Sequence, residues 1–475
     1  MKLGDICSKI GSGATPRGGK DSYKDSGTAI IRSQNVLDWS FSSSGLAFID
    51  DDQSKALSNV EVKQGDVLLN ITGDSVARAC MVPSEFLPAR VNQHVAIIRA
   101  NEEANNLFLL AWLQANKGTL LKLASSGATR NALTKRMLEN LDVNLPSIDV
   151  QNKVAAFIDS IQAKITLNAR LNGYLLELMN VQYQHSFCCN KLTLGSIYDI
   201  ADVVYGAAFK SALFNEEKVG YPLIRIRDLS TFSPQYWTNE AHPKRVFVHP
   251  GDVLAGMDAE FTPCLWQGEM AVLNQRVCLF EPAANSGVSR SYLLMALNPL
   301  LAFIQNYASG TTVAHMGKGD LEALNVPIPA RGDLERFNTI AEPLREQIVQ
   351  NSTQNRKLAA LRDALLPKLM SGEIDVSRVD FTQLNSHLAE TLRPFGCHIP
   401  AIQKTGQLAL LRTAPYPRPS RCSNNQHRSP TSQIAHPADR GVWDSPLGGS
   451  PRSPLQPGAV ARRLRGARSG IGTAI

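Results

Sequence analysis

The chain has 475 residues, with 49 Lys and Arg against 42 Asp and Glu and a formal charge of +7. This length predicts two or three domains, and the distribution of charge excludes a uniformly basic nucleic-acid binder. Residues 381–475 hold 12 basic and 3 acidic residues, whereas residues 1–380 hold 37 and 39. The sequence shows neither an apolar run long enough for a membrane span nor the apolar core of a signal peptide. The eight cysteines lack C-x-x-C spacing, so we expect no metal site and a reducing, cytoplasmic compartment without membrane contact.

Short apolar runs separated by turn residues occupy the first part of the chain and predict strands. Three such runs are Ala29–Ile31, Val67–Leu69 and Val95–Ile98, and a helical pattern follows at 107–123. Residues 1–147 are therefore predicted to form an α+β domain.

A long helix is predicted next, at 148–188. From Val154 to Met179 its apolar and asparagine positions alternate spacings of four and three, which is the seam of a coiled coil. A lone helix of this kind leaves its seam exposed to water, so a partner helix is required.

The chain then repeats this plan. The segment LENLDVNLP at 138–146 recurs 183 positions later as LEALNVPIP at 321–329. A second α+β domain is predicted at 189–330, with strands at 223–224, 246–248 and 277–280 and a helical stretch at 291–307. Further matches pair SGAT at 126–129 with SGTT at 309–312, GDVL at 65–68 with GDVL at 251–254, and Asn-Gln at 92–93 with Asn-Gln at 274–275.

A second long helix is predicted at 331–373. Its seam begins at Phe337 and is expected to slip by one position to reach Leu361 and Leu365. Pro343 is expected to kink this helix or to mark its start. The two long helices are expected to pack antiparallel, because a whole domain separates them in the chain.

Both seams carry two asparagines at matching positions, Asn168 and Asn172 in the first and Asn351 and Asn355 in the second. A buried seam asparagine fixes the register of a coiled coil at a cost in stability. These four residues are predicted to set the helix register; the alternative is that they face solvent or another helix.

Signatures of catalysis are few. Gly13–Lys20 resembles a phosphate loop, but its spacing fails and a flexible turn explains it. Asp52 and Glu61 could hold Mg²⁺ for a nuclease, although the second half has no equivalent and a solvated charged loop accounts for the cluster as well. We therefore predict no catalytic residue, no metal and no cofactor.

Polar side chains gather near the ends of the predicted strands in both domains. Arg, Asn and Gln read base edges, and Ser and Thr suit phosphate contacts. A structural role is the alternative for the Asn-Gln pairs. The predicted DNA-contacting residues are Arg32, Gln34, Asn35, Thr72, Arg78, Asn92, Gln93, Thr129 and Arg130 in the first domain, and Arg225, Arg227, Asn274, Arg276, Thr311, Thr312 and Lys318 in the second.

The ordered motifs resemble those of the specificity subunit of Type I restriction–modification systems, over about residues 1–378. The matching stretches are Gly65–Leu68 with Thr72–Gly73, Asn92–Gln93, Ser126–Thr129 with Asn144–Pro146, and Leu361–Ile374. The resemblance implies two target-recognition domains, each reading one half of a bipartite site in double-stranded DNA. It also implies that the long helices set the gap and dock two methyltransferase subunits, and that motor-nuclease subunits join for cleavage. Because the two domains differ in their polar residues, we expect two different half-sites.

The predicted fold is α+β, with two duplicated globular domains separated by two antiparallel coiled-coil helices, plus a tail. Residues 374–475 are predicted to be disordered, since residues 381–475 contain 11 of the 26 prolines and no hydrophobic periodicity. A tail that clamps DNA is the alternative. Two other functions remain open, a stand-alone Mg-dependent nuclease and a non-enzymatic adaptor whose domains bind protein.

Overall fold

The computed structural model describes residues 1–125, 131–187, 193–308 and 315–376. None of the described helices combines the length and apolar character needed to cross a membrane. Outside the described residues lie the predicted tail from residue 377 onward and four predicted DNA contacts, Thr129, Arg130, Thr311 and Thr312.

The first domain contains two four-stranded sheets. Its strands are β1 (Cys7–Ser12), β2 (Thr28–Ile31), β3 (Ala47–Ile49), β4 (Glu61–Val62), β5 (Val67–Asn70), β6 (Ala79–Met81), β7 (Ala89–Val91) and β8 (Val95–Ala100). Its helices are α1 (Asp51–Ala56), α2 (Asn106–Ala115), α3 (Lys117–Ser125) and α4 (Lys135–Glu139). One sheet is antiparallel with the order β1-β8-β5-β6, and the other has the order β3-β2-β7-β4 with β2 and β7 parallel.

Alternate residues of β5 serve two different cores, as the two-residue period of a strand requires. Val67 and Leu69 pack with Leu109 of α2, whereas Leu68 packs with Ile30 of the other sheet. Both faces of the antiparallel sheet are therefore covered, one by a helix and one by the second sheet.

The predicted helix at 107–123 is interrupted. Asn116 separates α2 from α3, and its side-chain amide donates to the carbonyl oxygen of Trp112 at 2.9 Å. Asparagine competes for backbone acceptors in this way, which an apolar periodicity does not reveal.

The second domain follows the long helix α5 (Ile148–Phe187) and repeats both sheets. Its strands are β9 (Thr193–Ser196), β10 (Ala201–Tyr205), β11 (Phe214–Asn215), β12 (Tyr221–Ile224), β13 (Tyr236–Thr238), β14 (Phe247–Val248), β15 (Val253–Gly256), β16 (Cys264–Leu265), β17 (Ala271–Leu273), β18 (Val277–Pro282) and β19 (Asn325–Ile328), with helices α6 (Arg290–Ala308) and α7 (Lys318–Glu322). The order β10-β18-β15-β16 reproduces the first antiparallel sheet. The order β11-β13-β12-β17-β14 reproduces the second with one added strand, and β12 and β17 are parallel. The predicted duplication is confirmed.

The last described helix, α8 (Arg331–Ser371), lies antiparallel to α5, as predicted. At one end Val154 of α5 packs with Leu366 of α8 and Phe108 of the first domain. At the other end Phe187 of α5 packs with Phe337 of α8. The helices contain 40 and 41 residues, a length of about 60 Å, and each end of this helix pair holds one domain.

Of the two alternatives for Pro343, the structure excludes the helix start, because α8 begins at Arg331 and Pro343 lies inside it. One detail of α8 differs from prediction. The seam does not slip to Leu361, which is 48% exposed, because Arg362 is buried instead. The Arg362 guanidinium donates to Gln162 Oε1 at 2.8 Å and lies 4.6 Å from the Trp39 ring, so a charged residue keeps the seam spacing.

The seam asparagines pair across the two helices. Asn168 Nδ2 donates to Asn355 Oδ1, and Asn351 Nδ2 donates to Asn172 Oδ1, both at 2.8 Å. Asn172 Nδ2 also donates to Ser352 Oγ at 2.9 Å. A one-turn shift of one helix against the other would separate these amides from their partners, and the role of the four asparagines in setting the register stays a prediction.

The chain turns back after α8. Gly372 has a φ of +78° and ends the helix. Val376 then packs with Val154 and Ile158 of α5. The prediction that the disordered tail starts at residue 374 is therefore wrong for residues 374–376.

Candidate nucleic-acid interface

The first domain has a concave polar site of about 440 Å³ where β2 and β5 end and β8 begins. Thr72 Oγ1 lies 2.6 Å from His94 Nδ1 on its wall. Gln34 and Arg78 line the same site, and Arg78 makes no side-chain hydrogen bond or ion pair within the described part of the chain. Three predicted DNA contacts, Gln34, Thr72 and Arg78, are thus brought together.

A buried amide holds this site in place. Asn70, the last residue of β5, donates its side-chain N–H to the carbonyl oxygens of Ser33 at 2.9 Å and Val36 at 3.2 Å. The short turn that carries Gln34 is therefore tied to the end of β5.

The second domain places a charged cluster at the equivalent strand ends. Asp258, which follows β15, corresponds to Thr72, and Arg276, just before β18, corresponds to His94. Arg276 Nη1 lies 3.6 Å from Asp258 Oδ1 and 3.2 Å from His315 Nδ1, while His315 Nδ1 lies 2.6 Å from Asp258 Oδ1. The two sites share a position but differ in charge.

Three of the predicted DNA contacts are buried. Asn35 is fully buried and its amide donates to the carbonyl oxygens of Ser42 and Ser44. Asn92 Oδ1 accepts from the backbone N–H of His94 at 3.0 Å, and Asn274 is 8% exposed. The Asn35 and Asn92 amides support the backbone at strand ends, whereas Asn274 Oδ1 is buried and has no hydrogen-bond partner within the described part of the chain.

Two further predicted contacts, Arg32 and Arg225, make contacts within their own domains. Arg32 lies 5.2 Å from the ring of Tyr23, and Arg225 lies 4.3 Å from the ring of Tyr236. Arg225 also pairs with Asp228 at 3.3 Å.

The remaining predicted contacts are exposed. Gln93 Oε1 accepts from Thr15 Oγ1 at 2.6 Å, and Arg227 is exposed on the turn after β12. Lys318, on α7, forms an ion pair with Glu322 at 3.2 Å, and the hydrogen bond and charge of Glu322 raise the pKa of Lys318.

Sequence reasoning left three site residues out of the predicted set. His94 and Asp258 belong to the polar stretches at the strand ends, but single His and Asp residues give no motif. His315 lies 57 positions from Asp258 in the chain and reaches it only through the fold. The signal that could have found His94 is its place in the Asn-Gln-His stretch, which aligns with Asn-Gln-Arg276 in the repeat.

The two acidic residues considered for a nuclease, Asp52 and Glu61, lie on different elements, α1 and β4. Asp50 caps α1 by accepting from the backbone N–H of Gln53 at 3.0 Å, and Asp51 and Asp52 lie in the first turn, where carboxylates are favourable. The described residues include no group of three or more His, Cys, Asp or Glu arranged to hold a metal. Burial raises the pKa of each described cysteine thiol to about 12, for Cys7, Cys80, Cys264 and Cys278.

Two repeated α+β domains, each with its own polar site and each held at one end of an antiparallel helix pair, define a duplicated two-site protein. The family model for the Type I restriction modification DNA specificity domain matches residues 1–176 and again residues 191–350. The chain belongs to this family, and it contains the domain twice.

Several specificity subunits are similar to the chain. The EcoBI specificity subunit of Escherichia coli is 33% identical over 193 residues, which cover 39% of this chain and 40% of that protein. The MjaIX specificity subunit of Methanocaldococcus jannaschii is 24% identical over 293 residues, covering 54% of this chain and 66% of its own length. The matches thus span less than two thirds of either relative.

The chain is also similar to solved structures, of which two are described. The HsdS subunit from Thermoanaerobacter tengcongensis has a TM-score of 0.30 and 18% identity, covering 79% of this chain and 96% of that one. The S subunit of a Type I restriction–modification system from M. genitalium has a TM-score of 0.45 and 12% identity, covering 78% and 95%.

Proposed function

We propose that the chain is the sequence-specific DNA-recognition subunit of a Type I restriction–modification complex. Each domain reads one half of a bipartite, asymmetric site in double-stranded DNA, and the helix pair sets the gap between the halves. The chain itself is not catalytic: methylation and cleavage belong to two methyltransferase subunits and to motor-nuclease subunits, in the cytoplasm.

One observation carries this proposal. The two sites occupy equivalent strand ends, yet one is built from Gln34, Thr72, Arg78 and His94, and the other presents an Asp258, Arg276 and His315 cluster. Side chains of these types read base edges. Two unlike sites at the two ends of one helix pair suit an asymmetric bipartite target.

The outer face of α5 carries a pattern of residues that fits the binding of a helix from a partner protein. Apolar residues recur there with alternating spacings of four and three, at Leu167, Leu171, Tyr174, Leu178 and Val181. All of them are exposed except Leu171, which is half-buried. An exposed heptad stripe of this kind fits a partner helix, and we assign it to a methyltransferase subunit. The equivalent positions of α8 are mostly polar: Gln350, Gln354, Lys357, Leu361 and Ala364. The two helices therefore offer unequal docking faces.

The proposed function is tested by selecting randomised DNA with the full chain bound to its methyltransferase subunits. The expected result is a single motif of two unlike half-sites separated by a fixed gap. A symmetric motif, or enrichment of one uninterrupted site, would contradict the proposal.

Docking on α5 is tested with Leu178→Glu. Because Leu178 is 49% exposed, we expect stability to change by no more than about 0.5 kcal/mol. Its contact with the partner would be lost, and affinity for the methyltransferase subunit is expected to fall roughly tenfold or more. Gln350→Glu, at the α8 position equivalent to Leu167, is the control. If the dissociation constant of Leu178→Glu for the methyltransferase subunit, measured by titration calorimetry, is unchanged, the methyltransferase subunit does not dock on this stripe.

A further inference from the structure

Two turns in equivalent places of the two domains begin with the same backbone conformation. One is Ser33–Asn35 after β2, and the other is Ile226–Asp228 after β12. The residue before the first turn, Arg32, has φ and ψ of −115° and 167°, and the residue before the second, Arg225, has −116° and 166°. Each turn follows the strand that pairs in parallel with its neighbour.

The third side chain locks each turn in the same way. Asn35 Oδ1 accepts from the backbone N–H of Arg32 at 3.1 Å. In the second turn, Asp228 Oδ2 accepts from the backbone N–H of Arg225 at 2.9 Å. The residues in the middle of the turns, Gln34 and Arg227, are therefore structurally equivalent, although the two turn sequences, SQN and IRD, share no residue.

These middle residues are the exposed ones. Within the described part of the chain, Arg227 makes no side-chain hydrogen bond or ion pair, and Gln34 makes one, to the carbonyl oxygen of Gly45 at 3.2 Å. The flanking arginines are held against aromatic rings, as described above. Each turn thus fixes its backbone and leaves one long polar side chain outside.

The chemistry of the two residues differs in a way that DNA distinguishes. A glutamine amide bonds both N6 and N7 of adenine, whereas a guanidinium bonds O6 and N7 of guanine. We infer that this turn position determines specificity, with Gln34 selecting adenine in one half-site and Arg227 selecting guanine in the other. The inference rests on the proposed function and adds the base that each domain prefers.

Reciprocal exchange tests the inference. The full chain with its methyltransferase subunits is used to select randomised DNA, as wild type, Gln34→Arg and Arg227→Gln. Arg227→Gln is expected to change one guanine to adenine in the second domain's half-site and to leave the other half-site unchanged. Gln34→Arg is expected to do the converse, each with a discrimination of roughly 5- to 150-fold.

The controls separate base reading from phosphate contact and from failure of the proposed function. Arg331→Gln removes an exposed arginine at the start of α8 and is expected to leave the motif unchanged. If Arg227→Gln lowers affinity for all sequences alike, partially or completely, Arg227 contacts phosphate and the inference is overturned. If the wild-type complex itself selects no bipartite motif, the proposed function fails instead.

Discussion

Replacing Phe337 with Ala is expected to lower the free energy of unfolding by about 3–5 kcal/mol, the usual cost of removing a buried phenylalanine. Phe337 is fully buried where α5, α6 and α8 meet, and its ring lies 5.4 Å from Phe187, 6.1 Å from Tyr183 and 6.3 Å from Tyr292. The variant leaves a cavity between the helix pair and the second domain. Unfolding in guanidinium chloride measures the loss.

The matched control is Ile340→Ala. Ile340 lies one turn further along α8 and is 45% exposed, so the change is expected to stay within about 0.5 kcal/mol. Hydrogen exchange would localise the effect of Phe337→Ala: protection is expected to fall in α6 and to persist in β2 and β7. A loss below about 1 kcal/mol would mean that this aromatic cluster does not fasten the second domain to the helices.

The duplication and the helix pair could be predicted from the sequence because their signals are local or periodic. The strand cores at Val67–Leu69 and Val95–Ile98 are continuous apolar runs, and the structure has strands there. The predicted slip of the seam to Leu361 is wrong, because a pattern read from hydrophobicity favours a leucine over the adjacent Arg362. Arg362 lies in the seam because its guanidinium contacts the Trp39 ring of the first domain and donates a hydrogen bond to Gln162 of α5. A contact between distant segments is invisible in the periodicity of one helix.

The candidate sites were predictable by region rather than by residue. Asn35 and Gln34 are neighbours of similar chemistry, yet one is fully buried and the other exposed. Residue type says that an amide can bond a base, but the three-residue turn decides which amide faces the backbone. The equivalence of Gln34 and Arg227 is likewise a property of backbone geometry. The aligned Asn-Gln pairs are the conspicuous match in sequence, and Asn92 and Asn274 are both buried.

The four seam asparagines are expected to affect both the free energy of unfolding and the gap between the two DNA half-sites. Asn351→Leu is expected to cost about 1–3 kcal/mol, because it leaves the buried Oδ1 of Asn172 without the amide donor now at 2.8 Å. Asn172→Leu removes the donor to Ser352 as well and is expected to cost a similar amount. The double variant Asn172→Leu/Asn351→Leu replaces both partners with apolar groups. It is expected to be less destabilised than the sum of the two single variants by about 1–2 kcal/mol.

Urea unfolding of the four proteins in this cycle measures the coupling, and Gln350→Leu, exposed beside Asn351, is the control with an expected change within about 0.5 kcal/mol. Strict additivity of the single variants would show that the pair does not hold the helices in register.

If the asparagines do set the register, replacing all four, including Asn168 and Asn355, should leave an apolar seam that tolerates more than one alignment. Because each end of the helix pair carries one domain, DNA selected by that variant complex is expected to show more than one gap length, where the wild type selects one.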